Sequence, residues 1–152
     1  MLNTKTMNIK IKLIIFILFL WNITVSHAQC GTGSIVTINN QEDLDAFGTS
    51  ISGCTTYTGG IKLNGFTPEK KKSDITNLSP LSALQTITGV FWVLDTDVTS
   101  LAGLNNLTSV GGGFLVQNNY ILTNIDALLN LTTISGYFLF SNNKILQKID
   151  GL

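Results

Sequence analysis

Arginine is missing from this sequence of 152 residues, and histidine occurs once, at His27. Cysteine and proline occur twice each, and charged side chains make up only 12% of the chain. Each shortage closes off a class of chemistry. Without a guanidinium there is no rigid two-pronged clamp for phosphate or carboxylate. With few basic residues there is no nucleic-acid footprint. Low charge combined with 44% hydrophobic residues is the opposite of a disordered composition. The length suits one domain with a real core.

The charge that is present is unevenly placed. Lys5, Lys10, Lys12, His27 and both methionines lie in the first 28 residues; the remainder holds six lysines and nine acidic residues, a net charge of −3. Residues 1–28 read as a secretory signal. The three lysines form a positive start, Leu13–Trp21 is an unbroken apolar run, and Ser26-His27-Ala28 puts small residues at −3 and −1 of a cleavage site. A membrane anchor is the competing reading. Nine apolar residues, or thirteen stretched to Val25, fall short of the ~20 that a spanning helix needs. An acylated Cys30 would want a small residue before it, and Gln29 stands there. The mature chain is expected to begin at Gln29, secreted or held at the cell surface, with no transmembrane segment after cleavage.

Cys30 and Cys54 remain. In an exported chain two cysteines allow one pairing, and a disulfide closing that loop adds roughly 3 kcal/mol in the chain-entropy model. The alternative is a pair of buried thiols. Two sulfurs without histidine make a poor zinc site, so neither a metal nor another cofactor is expected.

Self-similarity is the strongest signal. Leu78, Leu81, Leu84, Ile87, Gly89, Phe91 and Val93 recur as Leu101, Leu104, Leu107, Val110, Gly112, Phe114 and Val116. They recur again as Ile125, Leu128, Leu131, Ile134, Gly136, Phe138 and Phe140, and a fourth copy opens at Ile149-Asp-Gly-Leu152. An earlier, degenerate copy runs from Ile51 to Leu63 with Cys54 in place of leucine, and an insertion at 64–74 carries the lysine run 70–72. A spacing of three fits neither a helix nor a strand; it fits a chain that turns corners and re-aims an apolar side chain inward each time. After each glycine the spacing becomes two, which marks short strands with Phe91 and Val93, and their counterparts, inside. Asp95-Thr96, Asn118-Asn119 and Asn142-Asn143 follow, then apolar Val98, Ile121 and Ile145. That stretch resembles the leucine-rich-repeat skeleton, with stacked asparagines bonding backbone at a bend and Thr96 interrupting the ladder.

The expected architecture is mainly β: a solenoid of short-stranded coils with a short helical cap at its start. Residues 29–57 form the cap and first degenerate coil, and 58–152 the repeats. Ser34–Asn39 alternates like a strand, and Asn39-x-x-Glu42 reads as a capping box for a helix over about 40–47.

Gly53-Cys54-Thr-Thr-Tyr57-Thr-Gly59-Gly-Ile61-Lys-Leu63 and the copies after it resemble the receptor L-domain family, in which a cysteine precedes a G-x-L-x-I strand. Repeat-rich bacterial surface proteins are similar too, with blocks like 106–112 and 150–152. The resemblance spans about residues 35–152. It implies a right-handed parallel β-helix with short parallel sheets and a role in binding or adhesion, and it carries no catalytic residues. The chain departs from the family in having no cysteine after Cys54, and it halts in mid-copy at Leu152, as a fragment of a longer repeat protein would.

With Phe91 and Val93 inward, Trp92, Leu115 and Leu139 fall on the outward face about 4.8 Å apart, beside Tyr137. These four are the candidate ligand-binding residues, for a protein or glycan partner at the cell surface, with Trp92 as anchor. The rival reading packs the stripe under another segment, or treats the chain as a structural spacer without a ligand. An enzyme is not expected. No histidine is left to activate a serine or threonine, Lys62, Lys144 and Lys148 have no motif around them, and Asp95, Asp97, Asp126 and Asp150 suit turns better than a catalytic pair or calcium. A carbohydrate-active β-helix enzyme is the weakest alternative. Asn77, Asn106 and Asn130 begin sequons, which the repeat consensus itself explains.

Overall fold

A computed structural model of the chain describes residues 28–66 and 73–147. The signal segment up to His27, the Lys70–Lys72 run, Lys148 and the fourth copy at 149–152 lie outside the described residues. The described chain is mainly β, with ten short strands in two five-stranded parallel sheets and one α-helix. The first sheet orders β1 (Ala28–Cys30), β3 (Cys54–Tyr57), β5 (Thr86–Ile87), β7 (Ser109–Val110) and β9 (Thr133–Ile134). The second orders β2 (Ile35–Ile38), β4 (Gly60–Asn64), β6 (Phe91–Leu94), β8 (Phe114–Gln117) and β10 (Phe138–Ser141). Odd strands go to one sheet and even strands to the other, so each copy of the repeat contributes one strand to each.

The spacing of three has a simple backbone origin. The amide of Leu81 bonds the carbonyl of Leu78, and that of Leu84 bonds Leu81; the same i to i−3 bonds join Leu101, Leu104 and Leu107, and Ile125, Leu128 and Leu131. Two of these segments contain single 3₁₀ turns, at Ser79–Leu81 and Asp126–Leu128. Each turn advances three residues and returns an apolar side chain to the same interior. All but the half-buried Leu131 are buried.

The glycine period also has a steric cause. A Cβ on Gly89 would lie 2.7 Å from the backbone of Gly59, one on Gly112 would lie 2.8 Å from that of Gly89, and one on Gly136 2.7 Å from that of Gly112. Each glycine packs its bare backbone on the glycine of the preceding copy.

Side chains of one kind then stack in register. Phe91 pairs with Phe114 and Phe114 with Phe138, and their ring centroids lie 5.2 and 5.6 Å apart. The bend after the second sheet carries two ladders rather than one. Asp95, Asn118 and Asn142 adopt left-handed φ of 52°, 59° and 55°, a region that short Asn and Asp side chains tolerate best among non-glycines. Their side chains are linked by Asn118 Nδ2 donating to Asp95 Oδ1 and Asn142 Nδ2 to Asn118 Oδ1, both at 3.0 Å. In the inner ladder Asn119 is fully buried. Its Oδ1 accepts from the Thr96 amide at 2.9 Å and the Thr96 hydroxyl at 2.6 Å, while its Nδ2 donates to the Val93 carbonyl at 3.0 Å. Thr96 therefore ends this ladder with a hydrogen bond instead of breaking it.

Three details of the structure refine the sequence reading. The apolar residues after the bend that point inward are Leu122 and Leu146; Ile121 and Ile145 are exposed. The extra residue between asparagine and leucine in these copies, compared with Thr96-Asp97-Val98, shifts the inward position by one. The helix α1 spans Gln41–Ser50, capped by Asn40, whose side chain accepts from the Asp43 amide at 2.8 Å. Asn39 is one residue too early; it links the end of β2 at Ile38 to the cap. Finally, residues before Cys54 add a strand to both sheets, β1 and β2, so a further copy precedes the degenerate one. α1 packs on the Ser79–Leu81 turn, where Gly48 allows Pro80 to approach: a Cβ there would lie 2.4 Å from Pro80 Cβ.

Two outcomes follow. Asn119→Leu strands the Thr96 amide and Val93 carbonyl in the interior and is expected to lower stability by about 2–5 kcal/mol in urea unfolding. Burial also pushes the Tyr57 phenol above its ordinary value. The neutral form is thus favoured in the folded state, so its contribution is intact below pH ~10 and is lost as pH rises through the folded value. Alkaline titration of stability is expected to show this fall, weakened in Tyr57→Phe.

Candidate functional site

Alternation along β4, β6, β8 and β10 turns every second residue away from the interior. Phe91, Val93, Phe114 and Val116 are fully buried, and the residues between them face out. Register then fixes the outer rows. Lys62, Trp92, Leu115 and Leu139 pair in that order, flanked on one side by Ile35, Gly60, Val90, Gly113 and Tyr137, and on the other by Asn64, Leu94, Gln117 and Ser141. The structure thus brings Trp92, Leu115, Tyr137 and Leu139 onto one face.

Their surroundings differ. Trp92 is half-buried, with Lys62 Nζ 5.7 Å from its ring centroid and Leu115 on the next strand. That lysine contributes a cation–π contact and shields one ring face with its stem. The indole Nε1 is buried without a hydrogen-bond partner. Tyr137 and Leu139 are 51% and 49% exposed. Tyr137 leans back across Gly113, where a Cβ would sit 2.4 Å from its ring. The missing side chain at Gly113 is therefore what lets the ring lie against the sheet with an outer face open to solvent.

Sequence reasoning did not single out Ile35, 54% exposed at the opposite end of the same face, or the Lys62–Trp92 contact. Both were encoded in the repeat register, which needs β2 recognised as a copy. Lys62 is the one charged residue in these three rows, so the face is nearly neutral and largely apolar.

Cys30 and Cys54 form a disulfide, with Cα atoms 6.0 Å apart, joining β1 to β3 within the first sheet. Asp95 serves the outer ladder, and Asp126 begins the Asp126–Leu128 turn. Asn106 Nδ2 donates to the Ser82 carbonyl and Asn130 Nδ2 to the Asn105 carbonyl, at 2.8 and 2.7 Å. These two sequon amides thus bridge neighbouring copies. Among the described residues no three potential metal-ligating side chains gather, and no helix is long and apolar enough to cross a membrane.

No family model matches the chain, and no curated protein or solved structure matches it.

Gly113→Val is expected to lift Tyr137 off the sheet while leaving the fold intact, because the obstacle is the end of a side chain rather than backbone. Increased acrylamide quenching of Tyr137 fluorescence, in a variant with Tyr57, Tyr120 and both tryptophans replaced by phenylalanine, checks this against the same background with Gly113 retained.

Proposed function

We propose that this chain is an exported, non-enzymatic β-solenoid of the receptor L-domain kind that acts as a binding or adhesion module at the cell surface. The observation that carries the reading is the in-register row of Trp92, Leu115 and Leu139 on the outer face of the second sheet, edged on one side by Val90 and Tyr137 and on the other by Asn64, Leu94, Gln117 and Ser141. Adjacent exposed apolar and aromatic groups on a rigid sheet bury area against a partner without an ordering cost. A disulfide in the first sheet is compatible with an oxidising, extracellular setting. The alternation of strands between two parallel sheets supports the solenoid, in which each copy buries its inner face against the next. The partner is a protein or a glycan. Trp92 provides the anchor, and Tyr137 the open ring face.

The second reading is a spacer within a longer repeat array, favoured by the half-open inner face of the last described strand, where Phe138 is 37% exposed. Retention of the purified chain on glycan-coated and cell-surface-protein-coated chips separates the two. Binding is expected to fall at least about tenfold in Trp92→Ala/Tyr137→Ala, the loss expected of truncated hot-spot residues. Equal retention of the variant and the parent chain removes the stripe from function and leaves the spacer.

A further inference from the structure

The first sheet has an outer face of different chemistry. Its inward row is Cys30, Tyr57, Ile87, Val110 and Ile134; one residue back along each strand, Gln29, Thr56, Thr86, Ser109 and Thr133 pair in order on the outside. The ladder continues beyond the strands, with the amides of Thr88, Gly111 and Ser135 bonding the carbonyls of Tyr57, Ile87 and Val110. Thr58, Thr88, Gly111 and Ser135 thereby form a second outer row. Strand pairing repeats each row every ~4.8 Å, and the pleat separates the two rows by about 6.6 Å. Neither row contains a charged or aromatic residue.

The hydroxyls divide by row. Thr58 accepts from Gln29 Nε2, and Thr88 accepts from the Gly59 amide at 3.0 Å. Thr56, Thr86, Ser109 and Thr133 hydrogen-bond to no protein group through their side chains among the described residues, and all four are at least partly open to solvent. A central row of unpartnered hydroxyls thus sits on a backbone held by parallel pairing, on both sides at Thr56, Thr86 and Ser109 and on one side at Thr133.

The chemistry narrows the ligand. A protein hot spot wants Trp, Tyr or Arg, and none faces out here. Nucleic acids and acidic glycans want positive charge. A sugar ring wants an aromatic platform, which lies on the other sheet. What suits this face is a neutral, periodic array of hydrogen-bonding groups. Each hydroxyl both donates and accepts, as a lattice water does, and each threonine sets a methyl beside its hydroxyl at a fixed repeat. Charged groups would orient water about themselves and disturb such a lattice.

We propose that this threonine-rich face binds the surface of ice, holding water over Thr56, Thr86, Ser109 and Thr133 in a lattice-compatible order. The site is independent of the apolar face of the second sheet. Ser109 is the defect in the central row, since it lacks the methyl.

Ice-affinity partition of the purified protein tests this. The chain is expected to be enriched in slowly grown ice relative to a non-binding globular protein. Enrichment should rise in Ser109→Thr and stay unchanged in Trp92→Ala. It should fall to the level of the control protein in Thr86→Lys/Thr133→Lys and in Thr133→Lys alone, whose place in the last described strand of the sheet disturbs the least packing, with circular dichroism and the disulfide intact. Exclusion of the parent chain from ice, or undiminished enrichment of folded lysine variants, overturns the proposal. So does exclusion from ice combined with sedimentation on cellulose or chitin that the lysine variants lose, which assigns the face to a neutral polysaccharide instead.

Discussion

Parallel backbone pairing between successive copies is the constraint on which the rest depends. Each strand offers its amides and carbonyls to the next copy, and the bonds close only when equivalent residues lie side by side. Like therefore stacks on like. Phe91 lies beside Phe114, Gly89 over Gly59, Asn118 beside Asp95, and Asn143 beside Asn119. A residue type that suits one copy is tested against its neighbours above and below. Bulk in the glycine column would strike backbone, whereas a polar group in the asparagine column has its partner supplied by the adjacent copy.

That same rule gives the two sheets opposite outer characters. In the second sheet the outer rows hold Val90, Trp92, Leu94, Leu115, Tyr137 and Leu139, so apolar groups adjoin across strands. In the first they hold threonine, serine, glutamine and one glycine, Gly111. Inward rows are apolar in both, because both sheets close on one core. The interior leaves the outward positions free, and whatever is placed there is repeated at strand spacing. A periodic surface is the consequence, whatever it contacts.

Much of this was legible in the residues. The period of 23 and 24, the switch from a spacing of three to a spacing of two, and the inward Phe and Val positions all follow from local chemistry written several times over. Repetition is what made them readable, since each copy corroborates the others. Where copies differ, legibility failed. Val98, Ile121 and Ile145 align as the apolar residue after the bend, yet one extra residue in the later two copies moves Leu122 and Leu146 inside. The first copy, with strands at Ala28–Cys30 and Ile35–Ile38, was hidden because α1 stands where later copies have turns.

By itself the sequence determined the inner residues, the glycine columns and the strand periodicity, because these express backbone sterics and burial, which act within one or two turns of chain. The repeat register also put Trp92, Leu115, Tyr137 and Leu139, up to 47 positions apart, on one outer face. Tertiary structure alone decided how they sit there: Lys62 reaches Trp92 and Tyr137 settles over Gly113. It alone decided, too, that four hydroxyls of the first sheet remain unpartnered while those beside them are used. A hydrogen bond depends on what the adjacent copy presents, and no single copy carries that information.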